Sequence, residues 1–132
     1  MTVFADTFAL IAWLNPRNES HAVVTGYLDN FTGRLVTTEW VLMELADALS
    51  APTARGAVVA FLQAVRADSM FDVIAYDRST YRAGFDLFAA RPDKAWSLTD
   101  CISFAVMTEH GISEALTADH HFEQAGFRAV FK

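Results

Sequence analysis

Residues 2–15, TVFADTFALIAWLN, set the pattern by which the rest of the chain can be read. The opening TVFAD has the β-branched and aromatic content of a short strand. TFALIAWLN has the length and apolar content of a helix, and Pro16, which lacks an amide hydrogen and clashes with the preceding turn, stops it. The same alternation runs outward from there. ESHAVVTGYLDNF (19–31) puts Val23, Val24, Tyr27, Leu28 and Phe31 at helical spacing, and RLVTT (34–38) follows as a second strand. Helices are expected over roughly 38–50 and 54–67, a strand near MFDVIAY (70–76), and helices near 78–90 and 99–110. A strand at EALTAD (114–119), a helical turn and the segment FRAVF (127–131) close the chain. Strands alternating with helices mean βα units, so the expectation is an α/β fold with a central, mostly parallel sheet flanked by helices on both faces.

The 132 residues have room for one domain, taken as 1–132, with no repeat, low-complexity stretch or linker between the short turn signals. At 53% hydrophobic residues, with eleven Phe, the chain can bury a full core. Cys101 is the single cysteine, so no intramolecular disulfide can form, which fits a reducing compartment and points to the cytoplasm. The first residues lack a basic n-region, and their apolar run is broken by Asp6 and Thr7, so neither an export signal nor a membrane anchor is expected.

Open parallel sheets bind ligands beyond the carboxyl ends of their strands. Asp6 and Asp119 each close a strand there, and both would project from one edge if those strands run side by side. Each could instead simply cap the following helix. Glu44 lies in the stripe Val41, Glu44, Leu45, Ala48, Leu49, aimed at or near the core, where an unpaired carboxylate costs several kcal/mol. It must therefore meet a cation or a strong donor, or lie at the wet margin. Asp100 opens a helix that is apolar around most of its circumference. Its bland reading is a capping box with Ser97, which does not exclude a ligand role.

Clustered carboxylates repel one another by about 4 kcal/mol per pair at 4 Å and an effective dielectric of 20. No Lys or Arg lies within three positions of Glu44, Asp100 or Asp119, so a hard divalent metal is the simpler counter-charge, and oxygen-only ligands suit Mg²⁺ or Mn²⁺ better than zinc. The net charge of −6 argues against a nucleic-acid partner. Setting the four acids aside as ligands leaves 12 acidic against 10 basic residues, so a metal site accounts for much of that acidity.

Four segments taken in order, FADTFALIAWL (4–14), VTTEWVLMELADAL (36–49), DKAWSLTDCISFAVM (93–107) and ALTADHHFEQAGF (115–127), resemble PIN domains, and most closely the VapC toxins of toxin–antitoxin pairs. The resemblance implies that Asp6, Glu44, Asp100 and Asp119 hold Mg²⁺ or Mn²⁺, with Thr7, Ser97 and Thr117 in support. It also implies hydrolysis of RNA phosphodiester bonds, an antitoxin that wraps the protein, and a homodimer. Arg82, Arg91 and Lys94, ahead of the Asp100 helix, are candidate contacts to RNA phosphates, against a default of solvated surface. His120 and His121 read as helix-start or surface residues, Cys101 as a buried small hydrophobe, and Trp40 and Trp96 as core or interface. The rivals are a PIN-fold binding module without catalysis and a solitary housekeeping PIN nuclease. A haloacid dehalogenase-like phosphatase needs a second Asp where this chain has Phe8, and the acidic pair and late lysine of a receiver domain are not evident.

Overall fold

A computed structural model describes all residues 1–132. Five strands, β1 (Thr2–Ala5), β2 (Arg34–Thr38), β3 (Phe71–Ile74), β4 (Glu114–Leu116) and β5 (Arg128–Ala129), alternate with helices. The helices are α1 (Thr7–Leu14), α2 (His21–Asp29), α3 (Glu39–Ala48), α4 (Pro52–Ala64), α5 (Arg78–Ala90), α6 (Leu98–Glu109) and α7 (His120–Gln124). The strands form one sheet in the order β3-β2-β1-β4-β5, and every neighbouring pair is parallel, so the expected mostly parallel sheet is wholly so.

Both faces of that sheet are covered. Successive side chains of a strand point to opposite faces, and Val3, Phe4 and Ala5 are all fully buried, as are Ala115 and Leu116. No face of β1 is left to water, which is why the strand reads as a continuous apolar run rather than an alternating one.

Element ends depart from the expectations where local chemistry intervenes. Thr38 is the last residue of β2 and also the N-cap of α3, its hydroxyl accepting from the Val41 amide at 3.1 Å, so strand and helix abut with no loop. Helix α4 begins earlier than expected, at Pro52, whose fixed φ and missing amide hydrogen suit a first helical position. It ends in a 3-10 turn at Val65–Ala67. The last two strands are shorter than their apolar runs, because β4 pairs with β5 through only two residue pairs.

Helix α6 runs through the core, with Cys101, Ile102, Phe104, Val106 and Met107 buried around its circumference. Helix α5 crosses it at close range: a Cβ on Gly84 would stand 2.7 Å from the Cα of Ile102. After α6, Gly111 takes φ +65, a left-handed conformation that suits glycine, and the Ile112 amide bonds back to the Met107 carbonyl at 2.9 Å. That turn sends the chain directly into β4. No helix is long and apolar enough to cross a membrane.

Candidate functional site

The chain lays β2 and β3 on one side of β1 and returns to lay β4 and β5 on the other. The order of the strands therefore reverses between β1 and β4, and it is beyond the carboxyl ends of the strands at such a place that open parallel sheets bind ligands. Ala5 pairs with Leu116, so the next residues, Asp6 and Thr117, leave the sheet side by side. The Thr117 hydroxyl donates to Asp6 Oδ2 at 3.1 Å and accepts from the Asp119 amide at 3.0 Å, tying the two strand-end acids through one threonine. The Thr37 hydroxyl, donating to the Ala5 carbonyl at 2.9 Å, braces the end of β1 from the other side.

Asp6 is 7% exposed, and although it stands at the N-cap of α1 its side chain makes no capping bond. The capping alternative thus fails for this residue. Burial pushes its carboxyl up to about 7, opposed in part by the Thr7 amide and the Thr117 hydroxyl and reinforced by the negative charges of Asp100 and Glu44. Those two acids are its charged neighbours.

Glu44 projects from α3, half-buried, beside the buried Val41 and Leu45. It meets a donor rather than a cation: the hydroxyl of the buried Thr7 gives its hydrogen to Glu44 Oε1. Asp100 sits in the first turn of α6 at 14% side-chain exposure, and the expected capping box is present. Its amide donates to Ser97 Oγ at 2.9 Å, and its Oδ2 accepts from the Ser97 amide at 3.1 Å. Asp119 is wetter than Asp6 and Asp100, its side chain 34% exposed, and unlike Asp6 it does cap its helix, accepting from the His121 amide at 2.9 Å through Oδ1.

His121 is the residue that sequence reasoning underweighted. Its Nδ1 lies 3.3 Å from Asp100 Oδ2 and 3.4 Å from Asp119 Oδ1, so the imidazole bridges two acids that come from different elements. One local signal could have found it. A carboxylate that caps a helix reaches the amide two residues on, which brings that residue's side chain to the same end of the helix.

Asp6, Glu44 and Asp100 are thus gathered by shared electrostatics, and Asp119 joins through Thr117 and His121. None of the four acids pairs with a Lys or Arg, since those ion pairs all lie elsewhere: Arg66 with Glu39, Arg91 with Asp93, Arg128 with Glu114 and Lys132 with Glu123. A buried carboxyl facing two more acids, with no fixed cation beside it, is the donor chemistry that a hard divalent ion completes. The three ligating side chains that approach within 4.8 Å of one another are nonetheless Asp119, His120 and His121, at the outer end of the row.

The other candidates fare differently. Arg82 is exposed on α5 and lines a depression with Arg78, Tyr81 and Phe85. Arg91 is held by Asp93 through two bonds of 2.9 Å and lies over the Trp96 ring, so its charge is already engaged, while Lys94 is half-buried. Trp96 is core, donating Nε1–H to Gln124 and packing edge-on against Phe104. Trp40 packs edge-on against Tyr76. Burial raises the Cys101 thiol, which fits an inert core residue.

Comparison with solved structures finds the same fold in three bacterial proteins. VapC20 of Mycobacterium tuberculosis, described as a sarcin-ricin loop cleaving toxin, superposes with a TM-score of 0.89 at 26% identity, over 97% of this chain and 98% of that one. FitAcB of Neisseria gonorrhoeae matches at 0.70 and 16% identity, over 100% of this chain and 97% of that one. VapBC2 of Rickettsia felis, solved bound to a DNA fragment from its promoter, matches at 0.67 and 13% identity, over 98% and 97%. Sequence comparison with curated proteins finds no significant match. The profile of the PIN domain covers residues 3–128, which takes in the five strands apart from Thr2 and Ala129, and each of the four acids. The chain belongs to the PIN domain family.

Proposed function

We propose that this protein is a metal-dependent endoribonuclease and the toxin of a toxin–antitoxin pair. The observation that carries the reading is the uncompensated set of carboxylates at the strand-order reversal, with Asp6 buried within reach of the negative charges of Asp100 and Glu44. Membership of the PIN family and the likeness to VapC20 supply the reaction class.

Asp6, Glu44 and Asp100 hold Mg²⁺ or Mn²⁺, and Asp119 completes the set at its wet margin. When bound, such an ion lowers the pKa of water and neutralises charge that builds on the attacked phosphate and the leaving oxygen. The protein's own contribution is orientation. Thr117 fixes Asp6, Thr7 fixes Glu44, and Ser97 fixes Asp100, so three carboxylates are held by hydroxyl or amide partners before any ligand arrives. A cation beside Asp6 would favour its ionised form against the burial, and the lesser repulsion from Asp100 and Glu44, that push its carboxyl up to about 7.

The substrate is RNA, with Arg82 and Lys94 as phosphate contacts and Arg91 a weaker one because of its ion pair. The partners are an antitoxin that covers the acidic edge and a second copy of the chain, and the compartment is the reducing cytoplasm.

Purified protein incubated with a mixed cellular RNA pool tests this, with Mg²⁺ or Mn²⁺, with EDTA, and with Asp6→Asn or Asp100→Asn. Cleavage is expected only with metal and both acids, and each variant should lose more than about 100-fold, since even second-sphere partners of a metal cost ten- to hundredfold. Equal cleavage in EDTA, or full activity in either variant, removes the metal or that residue from the reaction. The absence of both cleavage and metal binding points instead to a non-catalytic binding module.

A further inference from the structure

Asp119, His120 and His121 hold three ligating side chains within 4.8 Å of one another. Their separations are informative. His121 Nδ1 stands 3.4 Å from Asp119 Oδ1, and His120 Nδ1 stands 3.6 Å from the same oxygen. Charge-assisted N–H···O bonds close to about 2.7–2.9 Å, so neither contact is a good one. A tetrahedral metal with bonds of about 2.0–2.1 Å needs ligand atoms about 3.3–3.4 Å apart, and both distances fall within about 0.3 Å of that edge.

The donors differ from those of the carboxylate centre. Mg²⁺ takes oxygens and keeps its waters, whereas two imidazole nitrogens with one carboxylate form a borderline set that favours Zn²⁺. The carboxylate is also oriented in advance, because Asp119 Oδ1 is held by the His121 amide and the Asp119 amide by Thr117. His120 is 59% exposed and His121 19%, so an ion can enter from solvent. Three protein ligands leave a position open.

We infer that Asp119, His120 and His121 form a second metal site, selective for Zn²⁺ over Mg²⁺, at the outer margin of the carboxylate centre. Asp100 Oδ2, 3.3 Å from His121 Nδ1, marks the boundary between the two. Asp119 belongs to both, so an ion here competes with the inner centre for that acid.

Calorimetric titration of the EDTA-stripped, dialysed protein with ZnCl₂ alone tests the site, with Co²⁺ absorption as a second readout and no RNA present. One Zn²⁺ per chain is expected. His121→Ala and His120→Gln should each weaken it by at least about 100-fold, a direct ligand costing no less than a second-sphere one. Glu44→Gln should leave Zn²⁺ binding within about twofold. His120 is a surface residue, so its variant keeps the test valid should His121→Ala fold poorly. Unchanged Zn²⁺ affinity in His120→Gln, or equal loss in Glu44→Gln, overturns the site. Because no RNA is cleaved in this measurement, its failure leaves the nuclease reading standing, and failure of that reading leaves this site standing.

Discussion

Asp6 and Asp119 occupy equivalent places, each following a parallel strand and preceding a helix, yet the structure treats them as opposites. Asp6 is buried, makes no capping bond and carries a raised pKa; Asp119 is a third exposed, caps its helix and touches two histidines. The cause is their distance from the sheet. Asp6 follows β1 directly, and β1 is central and covered on both faces, whereas Asp119 stands beyond the end of β4 and its buried Thr117, where the chain has turned outward. Burial at the inner end stores electrostatic cost that a cation can relieve. Exposure at the outer end removes that cost and admits nitrogen donors.

The sharpest way to break this contrast is to titrate stability without metal. The Asp6 carboxyl is raised from 3.8 to about 7, so the folded protein binds its proton more tightly than the unfolded chain. The Asp6 contribution to stability is then greatest below pH 4 and is lost as pH rises towards 7, by about 4 kcal/mol at 1.36 kcal/mol per unit. Urea melts in EDTA should show that decline in the stability difference between the native protein and Asp6→Asn. A difference that does not change with pH would mean that Asp6 is not desolvated.

Next in size is the packing that carries Asp100. Gly84→Ala forces a methyl to within 2.7 Å of the Ile102 Cα, so α5 must move off α6, at an expected cost of about 2–3 kcal/mol. Thermal denaturation reads it. An unchanged melting temperature would show that the crossing is not close.

On the outer face, Arg82→Ala should lower RNA affinity by threefold to tenfold and reduce the slope of log affinity against log salt by about one, measured by anisotropy in the cleavage-deficient Asp6→Asn background. An unchanged slope removes Arg82 from the phosphate contacts. The smallest effect belongs to Glu44→Gln, which keeps an oxygen for the Thr7 hydroxyl while removing one charge from beside Asp6. Metal-free stability should hold within about 0.5 kcal/mol or rise while Mn²⁺ affinity falls. A large loss would make Glu44 a structural residue.

Much of this was legible in the chain because hydrophobic period is local. The strand and helix at residues 2–15, the helical stripe around Glu44 and the Ser97–Asp100 capping box all rest on spacings within a few residues, and each is present. What was not legible depended on neighbours distant in sequence. Capping competed with a ligand role for Asp6 and Asp119 on equal terms, and only the burial of β1 separated them. Arg91 is the exception, since Asp93, two residues on, and Trp96, five on, engage it locally. The weight of His121 depended on Asp100, twenty-one residues away, arriving beside Asp119.

By itself the sequence determined the alternation of elements, the stops at Pro16 and Gly111, and the identity of the four acids, since apolar period, turn chemistry and charge are properties of short stretches. The tertiary structure alone decided which acid is dry. Desolvation depends on how many layers cover a strand end, and that is set by sheet order, which no local segment encodes. It also decided that the carboxyl edge of the sheet has two characters, a buried acid at Asp6 and a rim that carries two histidines, because a contact across 111 residues sets Thr117 against Asp6 and leaves His120 and His121 nearer the water.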